Sequence, residues 1–357
     1  MKTLYQVKEE LKNYNGRRIK IMEVCGTHTS SIFKNGIRSF LSPQIQLISG
    51  PGCPVCVTSA GYIDKLVELS LKERYCVLTF GDMMKVKGNE LSLTEAKAAG
   101  ADVRILYSPL AALKLAAENR NVQYVFAAVG FETTTPIYAL MIEEMRNTNI
   151  KNLRLLTSLK TMIPALTYIC ENEKGIDAFL CPGHVSVITG CNIYKPLAGK
   201  YQKPFVVSGF EGEHIIAAIY EILRQTAGHE YHMKNLYESA VTENGNQKAL
   251  AMIGRYFEST DGYWRGIGTI QDSALRLKPE YADYDAGSNI TDDTENTPKG
   301  CRCRDVILGR IHPSDCPLFK TACSPLNAVG PCMVSVEGAC GIWYKNMHAG
   351  HADGSGI

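Results

Sequence analysis

The 357-residue sequence has no long hydrophobic run and no excess of charge of either sign. Its longest apolar stretch, YVFAAVGF at 124–131, is far shorter than the ~18 residues that a membrane-spanning helix needs. The formal net charge is +2, and no run of lysine and arginine is long enough to bind a nucleic-acid backbone. The N-terminal MKTLYQVKEELKNYN carries acidic residues where a secretory signal would be apolar. These absences predict a cytoplasmic protein that binds neither membrane nor nucleic acid.

Cysteine, in contrast, is abundant, with thirteen in the chain. In a reducing compartment these residues are not expected to form structural disulfides. Cys76 and Cys170 lie in apolar segments and are predicted to be ordinary buried side chains. Three other cysteines fall within residues 25–56 and six within residues 301–340. This uneven distribution indicates a chemical role for the two groups.

From about residue 45, short β-rich runs alternate with helical patterns. Near-continuous apolar strands separated by helices are typical of parallel sheets covered on both faces. We therefore predict an α/β fold with two consecutive parallel-sheet units, domain one at 45–145 and domain two at 146–240. Residues 1–44 with 241–357 are predicted to form a third, helical and cysteine-rich domain. The predicted strands are 45–49, 75–80, 103–107, 122–129, 153–158, 176–180 and 204–208.

The segment MEVCGTHTSSI at 22–32 places Cys25 at a predicted helix start. Free N–H groups at such a position stabilise a thiolate or bind an anion. His28, three residues later, is a candidate co-ligand or base. The alternative is an ordinary helix cap with a histidine whose hydrogen bonds are satisfied.

The segment GPGCPVC at 50–56 follows the predicted strand 45–49. Strand-to-helix turns at the carboxyl edge of a parallel sheet are where such folds hold their sites. The glycines allow close approach of the backbone, and the prolines make the loop rigid. The spacing of Cys53 and Cys56 lowers a thiol pKa and permits a reversible disulfide. Because only two thiols and no local histidine pair are present, a dithiol or open metal site is predicted rather than a closed zinc site.

The segment GFETTTP at 130–136 also follows a predicted strand. Glu132 supplies a carboxylate, and Thr133 and Thr134 supply hydroxyl groups. A second Gly-Phe-Glu, in FVVSGFEGEH at 205–214, repeats this order of strand, turn and helix and hints at related halves. Taken alone, such residues are typical of helix capping and turns.

The segment CPGHVS at 181–186 places the imidazole of His184 at another strand end. With the three preceding segments, it makes four polar turns at corresponding edges of adjoining sheets. Their combination predicts that the turns converge in a cleft between the two α/β units.

The C-terminal cysteines contain no C-x-x-C pair, the spacing that most zinc ribbons and RING-type sites use. Thiolates in so dense a group select zinc or an iron–sulfur cluster. A 4Fe–4S cluster requires four cysteine ligands and tolerates irregular spacing. This region is therefore predicted to hold a 4Fe–4S cluster rather than zinc or unligated thiols, with two thiols to spare. The six are Cys301, Cys303, Cys316, Cys323, Cys332 and Cys340.

Taken together, these motifs resemble the hydrogenase maturation factor HypD family. The matching segments are CGTHT, GPGCPVCVT, GFETTTP, CPGHVSVITG and DCPLF…CSP…GPCMVSVEGAC, in order over residues 25–340. The resemblance implies α/β domains around a central cleft, a C-terminal 4Fe–4S cluster, and a scaffold on which the Fe(CN)₂CO group of nickel–iron hydrogenases is assembled. It also implies a small HypC-type chaperone as partner and cyanide delivery by HypE with HypF. The family's essential N-terminal thiols correspond to Cys25, Cys53 and Cys56.

The arrangement of a C-x-C beside spare thiols also resembles ferredoxin:thioredoxin reductase, in which one cysteine of such a pair is a cluster ligand and its neighbour belongs to a redox dithiol. This resemblance implies a redox dithiol of Cys303 and Cys332, and the cluster ligands Cys301, Cys316, Cys323 and Cys340. The simpler alternative makes the last four cysteines the ligands: Cys316, Cys323, Cys332 and Cys340.

Cys25 has no local partner, whereas Cys53 and Cys56 can pair with each other. We therefore predict that Cys25 is the direct iron ligand and that the pair are redox thiols, since a soft iron fragment favours thiolates. Two other classes of function use the same residues. One is an iron–sulfur thiol/disulfide oxidoreductase, which would not need Cys25 or the GFETTTP turn. The other is a zinc-stabilised binding module, which would have no visible chromophore.

Overall fold

The computed structural model describes residues 2–288, 290 and 298–349 of the chain. These residues form two compact units, each assembled from separate stretches of sequence. Unit 1 comprises Met1–Cys53, Ala165–Asn246 and Gly300–Ile357, and unit 2 comprises Pro54–Pro164 and Gln247–Lys299. The described part of the chain has no helix that is both long enough and apolar enough to cross a membrane.

The strands of the described residues build one sheet in each unit. In chain order they are β1 (Ile19–Glu23), β2 (Ile45–Ser49), β3 (Tyr75–Thr79), β4 (Val103–Ile105), β5 (Gln123–Gly130), β6 (Leu153–Lys160), β7 (Ala178–Cys181), β8 (Phe205–Val207), β9 (Met233–Asn235), β10 (Phe257–Trp264) and β11 (Gly268–Leu277).

Three of the described helices begin at residues whose side chains cap them. Thr3 with Gln6 and Ser92 with Glu95 form capping boxes, and the Ser59 hydroxyl accepts the Tyr62 amide. In chain order the α-helices are α1 (Leu4–Lys12), α2 (Gly26–Lys34), α3 (Ile37–Phe40), α4 (Ala60–Ser70), α5 (Leu93–Ala98), α6 (Ala111–Glu118), α7 (Thr135–Asn147), α8 (Met162–Asn172), α9 (Gly183–Thr189), α10 (Lys195–Tyr201), α11 (Gly212–Gly228), α12 (Gln247–Tyr256), α13 (Cys303–Ile307), α14 (Pro331–Val334) and α15 (Ala339–Ala349). Short 3₁₀ helices cover Gly81–Lys85, Asn192–Tyr194, Pro279–Tyr284 and Pro313–Asp315.

The sheet of unit 1 has the strand order β2-β1-β7-β8-β9, and every neighbouring pair is parallel. Strands β1, β2, β7 and β8 are buried almost continuously, as expected of a parallel sheet covered on both faces, whereas the edge strand β9 is partly exposed. Helices α1, α2 and α11 pack apolar side chains against one face, where each buried side chain contributes ~2 kcal/mol. This core includes Leu11, Ile21, Ile32, Leu47, Leu180 and Ile219.

The sheet of unit 2 has the strand order β10-β11-β6-β5-β3-β4. Strands β6, β5, β3 and β4 are parallel, and the β10–β11 hairpin adds to β6 in the antiparallel sense. Phe126, at the centre of β5, packs edge-on against Phe80 and tilted against Tyr138, with ring centroids 5.6 and 5.9 Å away. The sheet is therefore mixed, with a parallel half and an antiparallel edge.

The predicted α/β class and all seven predicted strands are confirmed, with small shifts at the strand ends. The prediction that 241–357 is helical outside its cysteines is wrong at 257–277, which forms the β10–β11 hairpin. Strand β10, FESTDGYW, alternates buried and exposed positions with few apolar residues. The sequence of β10 therefore has little of the hydrophobic pattern that predicts a strand. The strand is held in place instead by its pairing with β11, which in turn pairs with β6.

The division into consecutive domains also differs from the prediction. Strand β2 of predicted domain one lies in the sheet of unit 1, and β6 of predicted domain two lies in that of unit 2. The predicted third domain is divided between the two units. The physical reason is that β2 pairs with β1, and β1 in turn pairs with β7, far along the chain. A local apolar pattern identifies a strand but not its distant neighbour in the sheet.

Candidate functional site

Several polar loops leave the same edge of the unit 1 sheet. Strands β1, β2, β7 and β8 are parallel, so their carboxyl ends lie along one edge. The residues that follow are Cys25, the loop 50–53, the turn 182–184 and the turn 208–210. Three of the four predicted polar turns therefore belong to one sheet. The fourth, GFETTTP, follows β5 of unit 2.

Cys25 immediately precedes α2, in extended backbone with φ −151° and ψ 128°. The predicted helix start is thus confirmed. Burial raises the pKa of the Cys25 thiol, and the backbone amide of His28 and the Thr27 hydroxyl offset only part of this effect. Hydrogen bonds at the helix start therefore lower the pKa by less than burial raises it, in contrast to the expectation of a preformed thiolate. A soft metal ion that binds this sulfur would displace its proton.

Two glycines bring other segments against the start of α2. A side chain at Gly52 would place its Cβ only 2.7 Å from the Cα and N atoms of Cys25. A side chain at Gly26 would collide with the carbonyl oxygen of Glu337, which lies between the last two cysteines of the tail. Both positions require glycine because another residue would push the backbones apart. In unit 1, the start of the C-x-x-C loop at Gly52 and the C-terminal tail at Glu337 therefore both contact the backbone at the start of α2.

The C-x-x-C loop contains a disulfide. Cys53 and Cys56 are both disulfide-bonded, and none of the eleven other cysteines is in a disulfide, so the two are bonded to each other. Both residues are buried. The Thr58 hydroxyl donates to the carbonyl of Pro54 at 2.9 Å, which closes the loop across the pair. The loop thus accommodates the oxidised form of a redox dithiol.

His28 lies on α2 with its ring completely buried. Its Nε2 lies 3.2 Å from the carbonyl oxygens of both Ser208 and Gly209. Because carbonyls only accept hydrogen bonds, Nε2 carries the proton and Nδ1 has the lone pair. Within the described residues Nδ1 has no hydrogen-bond partner. Burial lowers the pKa of His28 to about 4, which leaves a neutral imidazole able to bind a metal but weak as a base.

His184 contacts the same aromatic ring as His28. The Phe210 ring lies 4.1 Å from that of His184 and 4.8 Å from that of His28, measured between centroids. Burial also lowers the pKa of His184. A side chain at Gly183 would come within 2.7 Å of the Ser208 carbonyl oxygen, so the two turns pack closely. Phe210 therefore links the CGTHT and CPGHVS motifs.

Glu132, Thr133 and Thr134 lie at the carboxyl end of β5 in unit 2. Glu132 is buried, and its Oε1 accepts the amide of Met162 at 2.7 Å. Its Oε2 has no hydrogen-bond partner among the described residues. Thr133 is exposed, and Thr134 precedes α7 without a side-chain cap bond. Glu132 is therefore held as a buried carboxyl group, and Thr133 is the hydroxyl open to a partner.

Replacing Glu132 with glutamine should stabilise the protein at neutral and alkaline pH. Burial raises the pKa of Glu132 from 4.5 to about 7, so the folded state holds the proton more tightly than the unfolded chain. The folded state consequently loses stability as pH rises through this range, by up to ~3 kcal/mol once both states are ionised. Glutamine keeps an acceptor for the Met162 amide but cannot ionise.

The measurement is the midpoint of thermal unfolding of wild type and Glu132→Gln at about pH 5 and about pH 8. The variant should gain stability over wild type only at the higher pH. The control is Glu118→Gln in α6. The Glu118 side chain is half-exposed, so the stability difference between this variant and wild type should not depend on pH. An equal difference between Glu132→Gln and wild type at both pH values would contradict the prediction.

The C-terminal cysteines surround a small cavity in unit 1. The cavity measures about 20 Å³, and its other lining residues include the apolar Leu318, Phe319 and Met333. Sγ of Cys303 and Sγ of Cys332 are 2.6 Å apart. The amide of Val329 donates to Sγ of Cys323 at 3.4 Å. The lining cysteines are Cys301, Cys303, Cys316, Cys323, Cys332 and Cys340.

This donor set fits an iron–sulfur cluster. All six candidate ligands are thiols, the remaining lining is largely apolar, and an amide hydrogen bond to sulfur is already present. Burial, followed by the charges of Cys303 and Cys301, raises the pKa of Cys340, as expected where several thiols crowd together. No three histidine, cysteine or acidic side chains in the described residues are placed to hold a single metal ion. The thiols instead surround the cavity.

Two contributions to the site are not identified from the sequence. The turn 208–210 supplies the carbonyls and the ring that hold His28 and His184. The backbone of Glu337 contacts the start of α2. The repeated Gly-Phe-Glu at 209–211 is the sequence feature that could have identified the turn 208–210. The contact made by the Glu337 backbone has no sequence signature.

The fold and these sites define an α/β protein that carries a disulfide-bonded cysteine pair after a strand of one sheet and a group of six thiols in its C-terminal tail. The chain belongs to the HypD family of hydrogenase maturation proteins. The sequence model of that family, described as the "Hydrogenase formation hypA family", matches residues 1–347.

Curated relatives agree with this membership. Hydrogenase maturation factor HypD of Escherichia coli is 40% identical over 334 residues, which cover 92% of this chain and 89% of that protein. HypD of Azotobacter vinelandii is 40% identical over 339 residues, with the same coverage of both chains. HypD of Cupriavidus necator is 39% identical over 341 residues, or 92% of this chain and 90% of that protein. A role in hydrogenase maturation therefore follows for this chain.

Proposed function

We propose that this protein is the scaffold on which the Fe(CN)₂CO group of nickel–iron hydrogenases is assembled. The observation that carries the proposal is that two further cysteine-containing segments contact the backbone beside Cys25 at the start of α2. Gly52 lets the C-x-x-C loop pack on the backbone of Cys25, and Gly26 lets the C-terminal tail do the same from Glu337. These backbone contacts support a proposal in which the candidate iron ligand, the predicted redox pair and the tail predicted to bind a cluster act together.

In this proposal each thiol group has a separate role. Cys25 binds the iron fragment, because a soft low-spin iron centre favours a thiolate. Oxidation of the Cys53–Cys56 dithiol to the disulfide releases two electrons and two protons. A bound 4Fe–4S cluster, held by the C-terminal cysteines, supplies electrons one at a time. His28, with its neutral imidazole, and His184 are candidate second contacts for the fragment.

The experiment that tests this function is infrared absorption of the protein purified anaerobically together with its partner chaperone. Cyanide and carbonyl ligands on iron absorb in a region free of protein bands. The proposal expects these bands in material from cells that also contain the cyanide-delivering HypE with HypF. Their absence from such material, with the complex intact, would overturn it.

We further propose that a small HypC-type chaperone docks at the carboxyl edge of the unit 1 sheet. Binding should slow amide hydrogen exchange in residues 25–29 and 50–58, because these segments carry the candidate ligand and the thiol pair. The measurement is hydrogen exchange with mass spectrometry on the chain alone and with the partner. Residues 230–290 are the internal control, and protection confined to them would contradict this docking.

A second candidate function is a thiol/disulfide oxidoreductase acting on a protein partner. Two observations favour it: the Cys53–Cys56 disulfide and the 2.6 Å approach of Cys303 and Cys332. The two functions differ in their need for Cys25. An oxidoreductase would keep full disulfide-reducing activity after Cys25→Ser, whereas the scaffold would lose its iron fragment.

A further inference from the structure

Unit 2 contains a polar cavity that the proposed function does not use. It measures about 310 Å³ and lies between the end of β6, the start of α4 and the β10–β11 hairpin. All of its lining residues belong to unit 2. Those that matter for its chemistry are Ser59, Ser158, Lys160, Asp261, Arg276 and Ser288.

Lys160 is a charged side chain of this cavity that has no partner among the described residues. Lys160 is only 7% exposed, and among the described residues its ammonium group has neither a hydrogen-bond nor an ion-pair partner. The other charged lining groups are engaged. Arg276 pairs with Glu258 at 2.8 Å, and Oδ1 of Asp261 accepts the amide of Asp272 at 3.0 Å.

A buried ammonium group without a partner is unfavourable, and proteins retain one where a counter-charge is supplied. Burial lowers the pKa of Lys160 to about 8, so the amine is still mainly protonated at neutral pH. Among the described residues no carboxylate pairs with this ammonium group, although Asp261 also lines the cavity. The hydroxyl lining of the cavity adds donors, since Ser59 uses its oxygen to accept the Tyr62 amide and keeps its own proton free to donate.

We propose that this cavity binds a small oxyanion, a phosphate or carboxylate group, whose charge is countered by Lys160 and which accepts a hydrogen bond from Ser59. The site adjoins the redox pair in the chain, because Ser59 follows Cys56 by three residues. Thr58 lies between them in the sequence, and its hydroxyl oxygen is 3.3 Å from the hydroxyl oxygen of Ser158. An anion bound here would therefore contact the segment that follows the C-x-x-C loop. This inference does not depend on the iron-scaffold function.

Lys160→Met should weaken anion binding by about tenfold or more, the loss expected for one charge-assisted hydrogen bond. The probes are inorganic phosphate and acetate, each titrated calorimetrically into the full-length protein at constant ionic strength. Lys114→Met is the matched control, because the Lys114 side chain is 81% exposed on α6 outside the cavity. It should bind both probes as wild type does. Saturable binding of phosphate alone would identify a phosphoryl ligand, and binding of acetate would identify a carboxylate.

Thermal unfolding separates this role from a structural one. Without anion, Lys160→Met should unfold at a higher temperature than wild type, because methionine fills the space of the lysine stem without burying a charge. Phosphate or acetate, whichever binds, should raise the unfolding temperature of wild type but not of the variant. The proposal is overturned if neither probe saturates wild type, or if the variant binds with wild-type affinity.

Chemical labelling of wild type tests the site without a variant. Pyridoxal 5′-phosphate forms an imine with a lysine amine and releases water, and borohydride then adds hydride to the imine carbon to give a stable secondary amine. Peptide mass spectrometry should find Lys160 labelled, and the bound anion should slow that labelling while leaving the labelling of Lys114 unchanged. Absence of label at Lys160, or no protection by either probe, would refute an accessible anion site.

Discussion

Replacing Cys25 with serine should abolish binding of the Fe(CN)₂CO group while leaving the fold and the C-terminal cluster intact. Serine exchanges a soft thiolate for a hard hydroxyl that stays protonated, so the iron fragment loses its preferred ligand. The change is nearly isosteric, and the position immediately before α2 accepts serine well as a helix cap. The readout is the intensity of the cyanide and carbonyl infrared bands in the complex with the partner chaperone.

Cys170→Ser is the control for this experiment. Cys170 is a buried thiol of α8, and burial raises its pKa to about 11, so it is expected to be chemically inert. Its variant should keep the infrared bands at wild-type intensity. If Cys25→Ser also keeps them, Cys25 is not the ligand, and the role passes to Cys53 or Cys56. Visible absorption of the C-terminal cluster in both variants reports whether the fold is intact.

The elements of the fold are largely predictable from the sequence, whereas their assembly is not. Runs such as IQLIS at 45–49 and VQYVFAAV at 122–129 are short, apolar and rich in β-branched or aromatic residues, so they predict buried strands. Nothing in IQLIS specifies that it pairs with β1 in the sheet of unit 1 rather than with the strand that follows it in sequence. Sheet order depends on packing between distant segments, which a local pattern does not record.

The candidate site is predictable where it depends on residue type and not where it depends on backbone contacts. The candidate residues are recognisable because thiols and imidazoles are reactive, metal-binding groups, and several of them follow predicted strands. These residues are Cys25, Cys53, Cys56 and His28. The roles of Gly26 and Gly52 depend on what lies against them, which only the fold shows. Lys160 illustrates the same limit, since a lysine within a strand has no signature of burial.

The protein purified without oxygen should be brown and contain about four iron and four sulfide per chain, as one 4Fe–4S cluster. Six thiols around an apolar cavity are the basis for this expectation. Cys323→Ala should remove the cluster, because Cys323 belongs to both ligand sets that we consider. The measurements are visible absorption with iron and sulfide analysis. Stoichiometric zinc without iron or sulfide would contradict the cluster altogether.

The pair Cys301→Ala and Cys332→Ala separates the two ligand sets. The 2.6 Å approach of Cys332 to Cys303 favours their assignment as a dithiol, which leaves Cys301 as a ligand. A side chain at Gly330 would lie 2.7 Å from Sγ of Cys301, so this glycine keeps space for that sulfur at the cavity. Cys301→Ala should therefore lose most of its iron, and Cys332→Ala should retain the cluster while losing a thiol pair that oxidants can close. The reverse result would assign the last four cysteines as the ligands, because Cys332 would then be indispensable and Cys301 would not.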